Sequence, residues 1–101
     1  MTASRYLLTS AAEADIDGII QYLAERSDDA PMIVYAAFIE AFERLGEHPH
    51  IGHTREDLTE RPVRFWNVHS YLIVYNDATA PLQIVAVLHG ARDVRSLMKE
   101  R

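Results

Sequence analysis

Two apolar runs dominate the second half of the chain. Tyr71, Leu72, Ile73, Val74 and Tyr75 form the first; Leu82 to Leu88, interrupted only by Gln83, form the second. Six turn-type residues, Asn76 to Pro81, lie between them, which predicts a β-hairpin with a longer loop. Neither run alternates strictly between apolar and polar positions. Strands of that kind are covered on both faces. The second run closes on His89, Gly90, Ala91, Arg92 and Asp93, a polar cluster at a strand terminus.

Upstream the period changes. A short apolar run, Tyr6 to Leu8, predicts a first strand within Arg5 to Thr9. Ser10 with Glu13 three residues on has the form of a capping box. From there Ile16, Ile19, Ile20 and Leu23 recur at helical spacing, predicting a helix to about Arg26. Gly18 weakens that helix by about 1 kcal/mol relative to alanine, or permits close packing on the next one. Asp28 or Asp29 caps a second helix with Pro31 in its first turn. Its stripe of Tyr35, Phe38, Ile39, Phe42 and Leu45 runs up to Gly46, read as the C-terminal stop. The short link makes the two helices an antiparallel hairpin. Glu47 to Pro62 has no sustained period and reads as loop. Val63 to Val68 reads as a strand, and Asp93 can cap a last helix carrying Val94, Leu97 and Met98, with Lys99 and Arg101 near its end.

The resulting order, β-α-α-β-β-β-α, separates helices from strands. It predicts an α+β fold with an N-terminal helix hairpin on one face of a small, mostly antiparallel sheet. The final helix is too short to cover the whole opposite face, so a missing partner is expected to complete the core. At 101 residues the chain suits one domain, 1–101, with one core.

Composition narrows the classes. With no cysteine, disulfides, zinc thiolates and thiol nucleophiles are excluded. No apolar run approaches the roughly 18–20 residues of a membrane span. The stretch Met1 to Thr9 does not resemble a signal peptide, so a cytoplasmic location is expected. The net charge of −5 argues against direct, high-affinity nucleic-acid binding, which phosphate neutralisation drives. Neither a glycine-rich phosphate loop nor a G-x-S-x-G turn is present, and no cofactor is expected.

Three constellations could carry chemistry. His48, His50 and His53 share a loop, but without matching carboxylate or cysteine spacing they read as solvated rather than metal-binding. Arg64, His89 and Arg92 are the stronger set. A near-neutral histidine beside two arginines could perform acid–base work on a phosphodiester; the same residues could equally form structural ion pairs. The mixed charges Arg55, Glu56, Asp57, Glu60, Arg61 and Arg64 read as a solvated loop. Trp66, Tyr71 and Tyr75 could stack bases, but on apolar strands they read as core.

Taken in order, the helix hairpin, Pro49, Gly52, Arg55, Asp57, Leu58, Arg64, the Tyr71–Tyr75 run, Ile84, Val87, His89, Arg92 and Asp93 resemble the ParE branch of the RelE/ParE toxin superfamily over nearly the whole chain. The resemblance implies a bacterial type II toxin neutralised by a cognate antitoxin in a hetero-oligomer, the antitoxin's flexible C-terminal segment wrapping the apolar surface. It also implies one of two activities. RelE-like members cut mRNA on the ribosome; ParE-like members are similar in fold and poison DNA gyrase. The strand position of a RelE-type catalytic arginine is Leu72 here. The C-terminal tyrosine position falls near Met98, and only Arg92 matches a RelE-type arginine. The resemblance therefore implies gyrase as target, with Arg64, His89, Arg92, Arg95 and Met98 in the contact. In the nuclease alternative His89 is the acid or base, and Arg64 and Arg92 hold phosphate.

Overall fold

Thr9, not Ser10, caps the first helix. In the computed structural model, which describes residues 5–100, the Thr9 hydroxyl accepts from the Ala12 N–H at 3.2 Å. The helix begins at Ser10, so Ala12 rather than Glu13 takes the third helical position and the expected capping box does not form. The elements are β1 (Tyr6–Leu8), α1 (Ser10–Ala24), α2 (Ala30–Glu47), β2 (Arg64–Val68), β3 (Tyr71–Asn76), β4 (Leu82–His89) and α3 (Val94–Lys99). This is the anticipated α+β order. Met1 and Arg101 lie outside the described residues.

The strands form one sheet in the order β1-β4-β3-β2. β1 runs parallel to β4, and the β2–β3 and β3–β4 pairs are antiparallel. The register slips once: Val74 faces Ala86 while Tyr75 faces Ile84, leaving Val85 as the extra residue of a bulge. The slip decides which side chains share a face. Ile84 and Val87, three residues apart, would otherwise point to opposite sides; here both join the core beneath the helices.

That core takes Ala12 and Ile16 from α1 and Phe38, Ala41, Phe42 and Leu45 from α2, against Tyr71, Ile73 and Tyr75 of β3. Phe38 meets the Tyr71 ring edge-on at 5.5 Å and lies stacked on Phe42 at 6.3 Å. The opposite face buries Phe65, Leu72, Val74, Ala86 and Leu88 against Val63, Val94 and Met98, with Leu58 at the margin. The chain's own α3 and the loop before β2 therefore close the face that had been expected to need a partner. The large apolar side chains left exposed lie elsewhere: Tyr22 on α1, Met32, Ile33 and Tyr35 on α2, and Leu7 on the edge strand β1.

Gly46 differs from expectation, and of the two readings of Gly18 one is removed. Gly46 is not a stop, since α2 continues to Glu47. A Cβ at Gly46 would lie 2.7 Å from the Cβ of Arg5, so the position lets β1 approach the helix closely. Gly18 does not serve helix packing, because a Cβ there would meet nothing within 4 Å. Tyr35, placed in the buried stripe by its spacing, is 47% exposed.

Candidate functional site

The strand register separates the arginine and histidine expected to cluster. Arg64 pairs with Tyr75, whereas Val68 at the other end of β2 pairs with Tyr71, which pairs with His89. Four residue steps of strand separate the two ends, roughly 13 Å at about 3.3 Å per residue.

Arg64 works at its own end as a tie. Its Nε donates to Asp77 Oδ2 at 2.7 Å, and a terminal nitrogen donates to the Gly52 carbonyl at 2.9 Å. The His50 ring shares the same Asp77 oxygen through Nδ1 at 2.9 Å. These bonds hold the Asp77 carboxyl below the usual carboxylate range, chiefly through the Arg64 hydrogen bond, with His50 adding to it. The Tyr75 hydroxyl stands beside this network. It donates to the Pro49 carbonyl at 2.7 Å and accepts from the Gly52 N–H at 2.9 Å. Burial pushes its phenol up. The loop after α2 is thus fastened to the sheet from below by a phenol and from the side by a guanidinium.

The three loop histidines are put to separate uses. His48 caps α2, His50 faces Asp77, and the His53 backbone bridges to Phe65 in both directions. Among the described residues no group of three or more histidine, cysteine or acidic side chains could hold a metal ion. Tyr71 and Tyr75 are core, and Trp66 is half-buried against it.

At the far end of the sheet His89 and Arg92 do come together. They line a cleft of about 640 Å³ with Asp15, Gly18, Ile19 and Tyr22 of α1, Tyr71, Val87 and Leu88 of the sheet, and Leu97 of α3. His89 lies edge-on to Tyr71 at 5.4 Å, and its Nδ1 accepts from the Ala91 N–H at 3.1 Å. A neutral ring must therefore carry its proton on Nε2. The guanidinium of Arg92 has no hydrogen bond or ion pair among the described residues. Asp15, the acidic side chain of the cleft, accepts from the Val87 N–H at 3.0 Å, satisfying a sheet edge that β1 is too short to reach.

Arg95 stands on the exposed side of α3 and donates twice to the Asp57 carbonyl, at 2.9 and 2.6 Å, tying the loop before β2 to the helix. Asp93 caps α3 through the Ser96 N–H and hydroxyl, and these bonds hold its carboxyl below the ordinary range. Met98, expected at the contact, is 2% exposed and packs beneath the surface. Asp77, the Tyr75 hydroxyl and the Gly18–Tyr22 side of the cleft were not anticipated. One signal for the last was in the sequence: a glycine inside a helical pattern, with no turn to justify it.

Residues 6–94 match the family model described as the ParE toxin of the type II toxin–antitoxin system, parDE. Among solved structures the chain is similar to one titled the chromosomal ParDE TA system from P. aeruginosa. The TM-score is 0.66 at 19% identity, over 83% of this chain and 92% of that one, a likeness that concerns the fold alone. No curated protein matches this chain.

Proposed function

This chain belongs to the ParE toxin family of type II toxin–antitoxin systems, and from that premise we propose that it poisons DNA gyrase by binding and is neutralised by a cognate antitoxin. The observation that carries the choice of target is the separation of Arg64 from His89 and Arg92. Scission of RNA needs several charged or phenolic groups aimed at one developing phosphorane-like charge. Around His89 the cleft supplies one guanidinium; of its two phenols, Tyr71 belongs to the buried core and the Tyr22 ring lies under Arg26, and the carboxylate of Asp15 lines the same space. Leu72 and Met98, at the positions compared with RelE-type catalytic groups, are apolar and buried.

A poison that works by occupation needs a presented surface instead. The exposed basic side chains Arg92 and Arg95 flank the start of α3, and Arg95 is fixed against the loop before β2. These two are the direct contacts in this reading. Met98 supports them from below, and His89 adjoins them in the cleft. Arg64 acts at a distance by fixing the loop. A gyrase poison works where the chromosome is, in the cytoplasm.

Purified toxin added to a gyrase supercoiling assay should inhibit it and accumulate cleaved DNA. The same toxin added to translating ribosomes with a defined mRNA should leave the message intact. Undiminished supercoiling together with A-site cleavage would overturn the proposal in favour of a ribosome-dependent endonuclease.

A further inference from the structure

The cleft at the end of the sheet contains a helix position that packing does not explain. Gly18 sits in the middle of α1, where glycine costs about 1 kcal/mol relative to alanine. A Cβ there would meet nothing within 4 Å among the described residues, so the fold does not require glycine at this position. What the missing side chain does is leave the backbone of α1 open along one wall of the cleft. The adjoining walls are apolar and aromatic: Ile19, Tyr22, Tyr71 and Leu97. Tyr22 is 54% exposed, with the Arg26 guanidinium 3.6 Å over its ring.

The polar capacity of the cleft comes from His89 and Arg92. Arg92 offers a guanidinium without a partner among the described residues, and the Nδ1 contact of His89 leaves its Nε2–H as a donor. Asp15 is engaged with the Val87 N–H. An arginine can hold a carboxylate with two parallel hydrogen bonds, and an imidazole N–H can add a third. The cleft therefore combines an apolar and aromatic lining with an anion-accepting guanidinium and imidazole. We infer that it seats a segment of the antitoxin in which a bulky apolar side chain stands beside a carboxylate. The apolar side chain lies over Gly18, and the carboxylate sits on Arg92 with His89 as second donor.

This inference rests on the antitoxin reading above and narrows it to one site and one chemistry. A chain segment suits the cleft better than a free acid. Small-molecule sites enclose about 70–90% of their ligand's surface, whereas this trough is open to solvent along one side. A segment passing along it can add contacts beyond the cleft that a free acid cannot.

The test uses the full chain co-expressed and purified with the product of the adjacent reading frame, and affinities measured by calorimetry. Gly18→Leu fills the cleft from the helix side, and Arg92→Gln removes the charge without altering a protein contact. Wild type should form a complex. Arg92→Gln should weaken it roughly tenfold or more, the size expected for a lost charged hydrogen bond. Gly18→Leu should weaken it by roughly a hundredfold, as for loss of a central anchor. Both variants should keep the wild-type melting temperature or exceed it. Affinity should also fall with added salt in wild type and less so in Arg92→Gln.

If wild type forms no complex, the antitoxin reading itself fails. If wild type binds and both variants bind equally well, that reading stands and the assignment of the cleft is overturned. If the chain alone is a dimer that Gly18→Leu dissociates, the occupant is a second copy of this chain and the assignment is likewise overturned.

Discussion

Replacing Arg64 with alanine distinguishes a residue that builds the fold from one that touches the target. The guanidinium makes a 2.7 Å bond to Asp77, a 2.9 Å bond to the Gly52 carbonyl and a longer one of 3.4 Å to the His50 carbonyl. Hydrogen bonds to charged groups contribute about 1.5–3 kcal/mol each when well enclosed. Fully exposed pairs contribute under about 1 kcal/mol. With side chains 28% and 20% exposed, the Arg64–Asp77 pair lies between those limits. The expected loss for Arg64→Ala is about 2 kcal/mol, or roughly 8–16 °C in melting temperature for a domain of this size. Its pH dependence has a definite sign. The folded Asp77 carboxyl titrates below its unfolded value, so its contribution is fully present above that value, near pH 4, and is lost as pH falls through the folded one. The gap between wild type and Arg64→Ala should be full at pH 7 and shrink steadily below about pH 4. Urea unfolding followed by the single tryptophan, Trp66 on β2, reads both quantities. A variant that loses under about 0.5 kcal/mol at pH 7, yet no longer inhibits gyrase, would refute the structural role and make Arg64 a contact.

Gly18→Ala should stabilise the chain by about 0.5–1 kcal/mol, because the helix gains propensity and the added methyl meets nothing; a lowered melting temperature would contradict the open geometry at that position. Tyr75→Phe removes the bridge between the Pro49 carbonyl and the Gly52 N–H and should cost about 1–3 kcal/mol. Amide exchange should then accelerate in residues 48–53 before it does so in the sheet. Met98→Ala should cost about 2–4 kcal/mol through the cavity it leaves in the second core. Inhibition per folded molecule should hardly change, and a specific loss of inhibition with unchanged stability would place the side chain in the contact.

Elements were legible where a period or a turn residue encoded them locally. The β3–β4 hairpin, both long helices and the short α3 follow from apolar spacing and from Asp93. What depended on register was not legible. Arg64 and His89 both stand at strand ends, and only the pairing of β2 with β3 shows that the ends are opposite ones. Asp77 lies in a turn, and nothing local marks it as the partner of a residue thirteen positions earlier. The closed second face was misjudged because coverage was assigned to α3 alone. The loop before β2 has no period, yet it contributes Leu58 and Val63 to that core. The His89–Arg92 pair was legible because its two residues are neighbours in sequence. The cleft around them was not, because α1 supplies its other wall from seventy residues away.

The position of Arg92 constrains how neutralisation can work. In the proposed gyrase contact it is one of two exposed cations, and in the proposed antitoxin site it is the anion-accepting group. One guanidinium cannot serve both partners, so a complex of all three would have to forgo one of those contacts. Losing a charged hydrogen bond costs about 1.5–3 kcal/mol, roughly a tenfold to hundredfold loss of affinity at about 1.4 kcal/mol per factor of ten. Antitoxin and gyrase then disfavour each other's binding by that factor in both directions, as linkage requires. Protection is thus a matter of relative affinity and concentration rather than a change in the toxin's fold. Gly18 adds an asymmetry, since it belongs to α1, whereas Arg92 and Arg95 flank the start of α3. A side chain there should hinder the antitoxin while leaving Arg92 and Arg95 free for the target. Gly18→Leu should therefore inhibit gyrase as wild type does and resist rescue by the antitoxin. Equal rescue of the two proteins in the supercoiling assay would show that a side chain at position 18 does not hinder the antitoxin, and would overturn the assignment of the cleft.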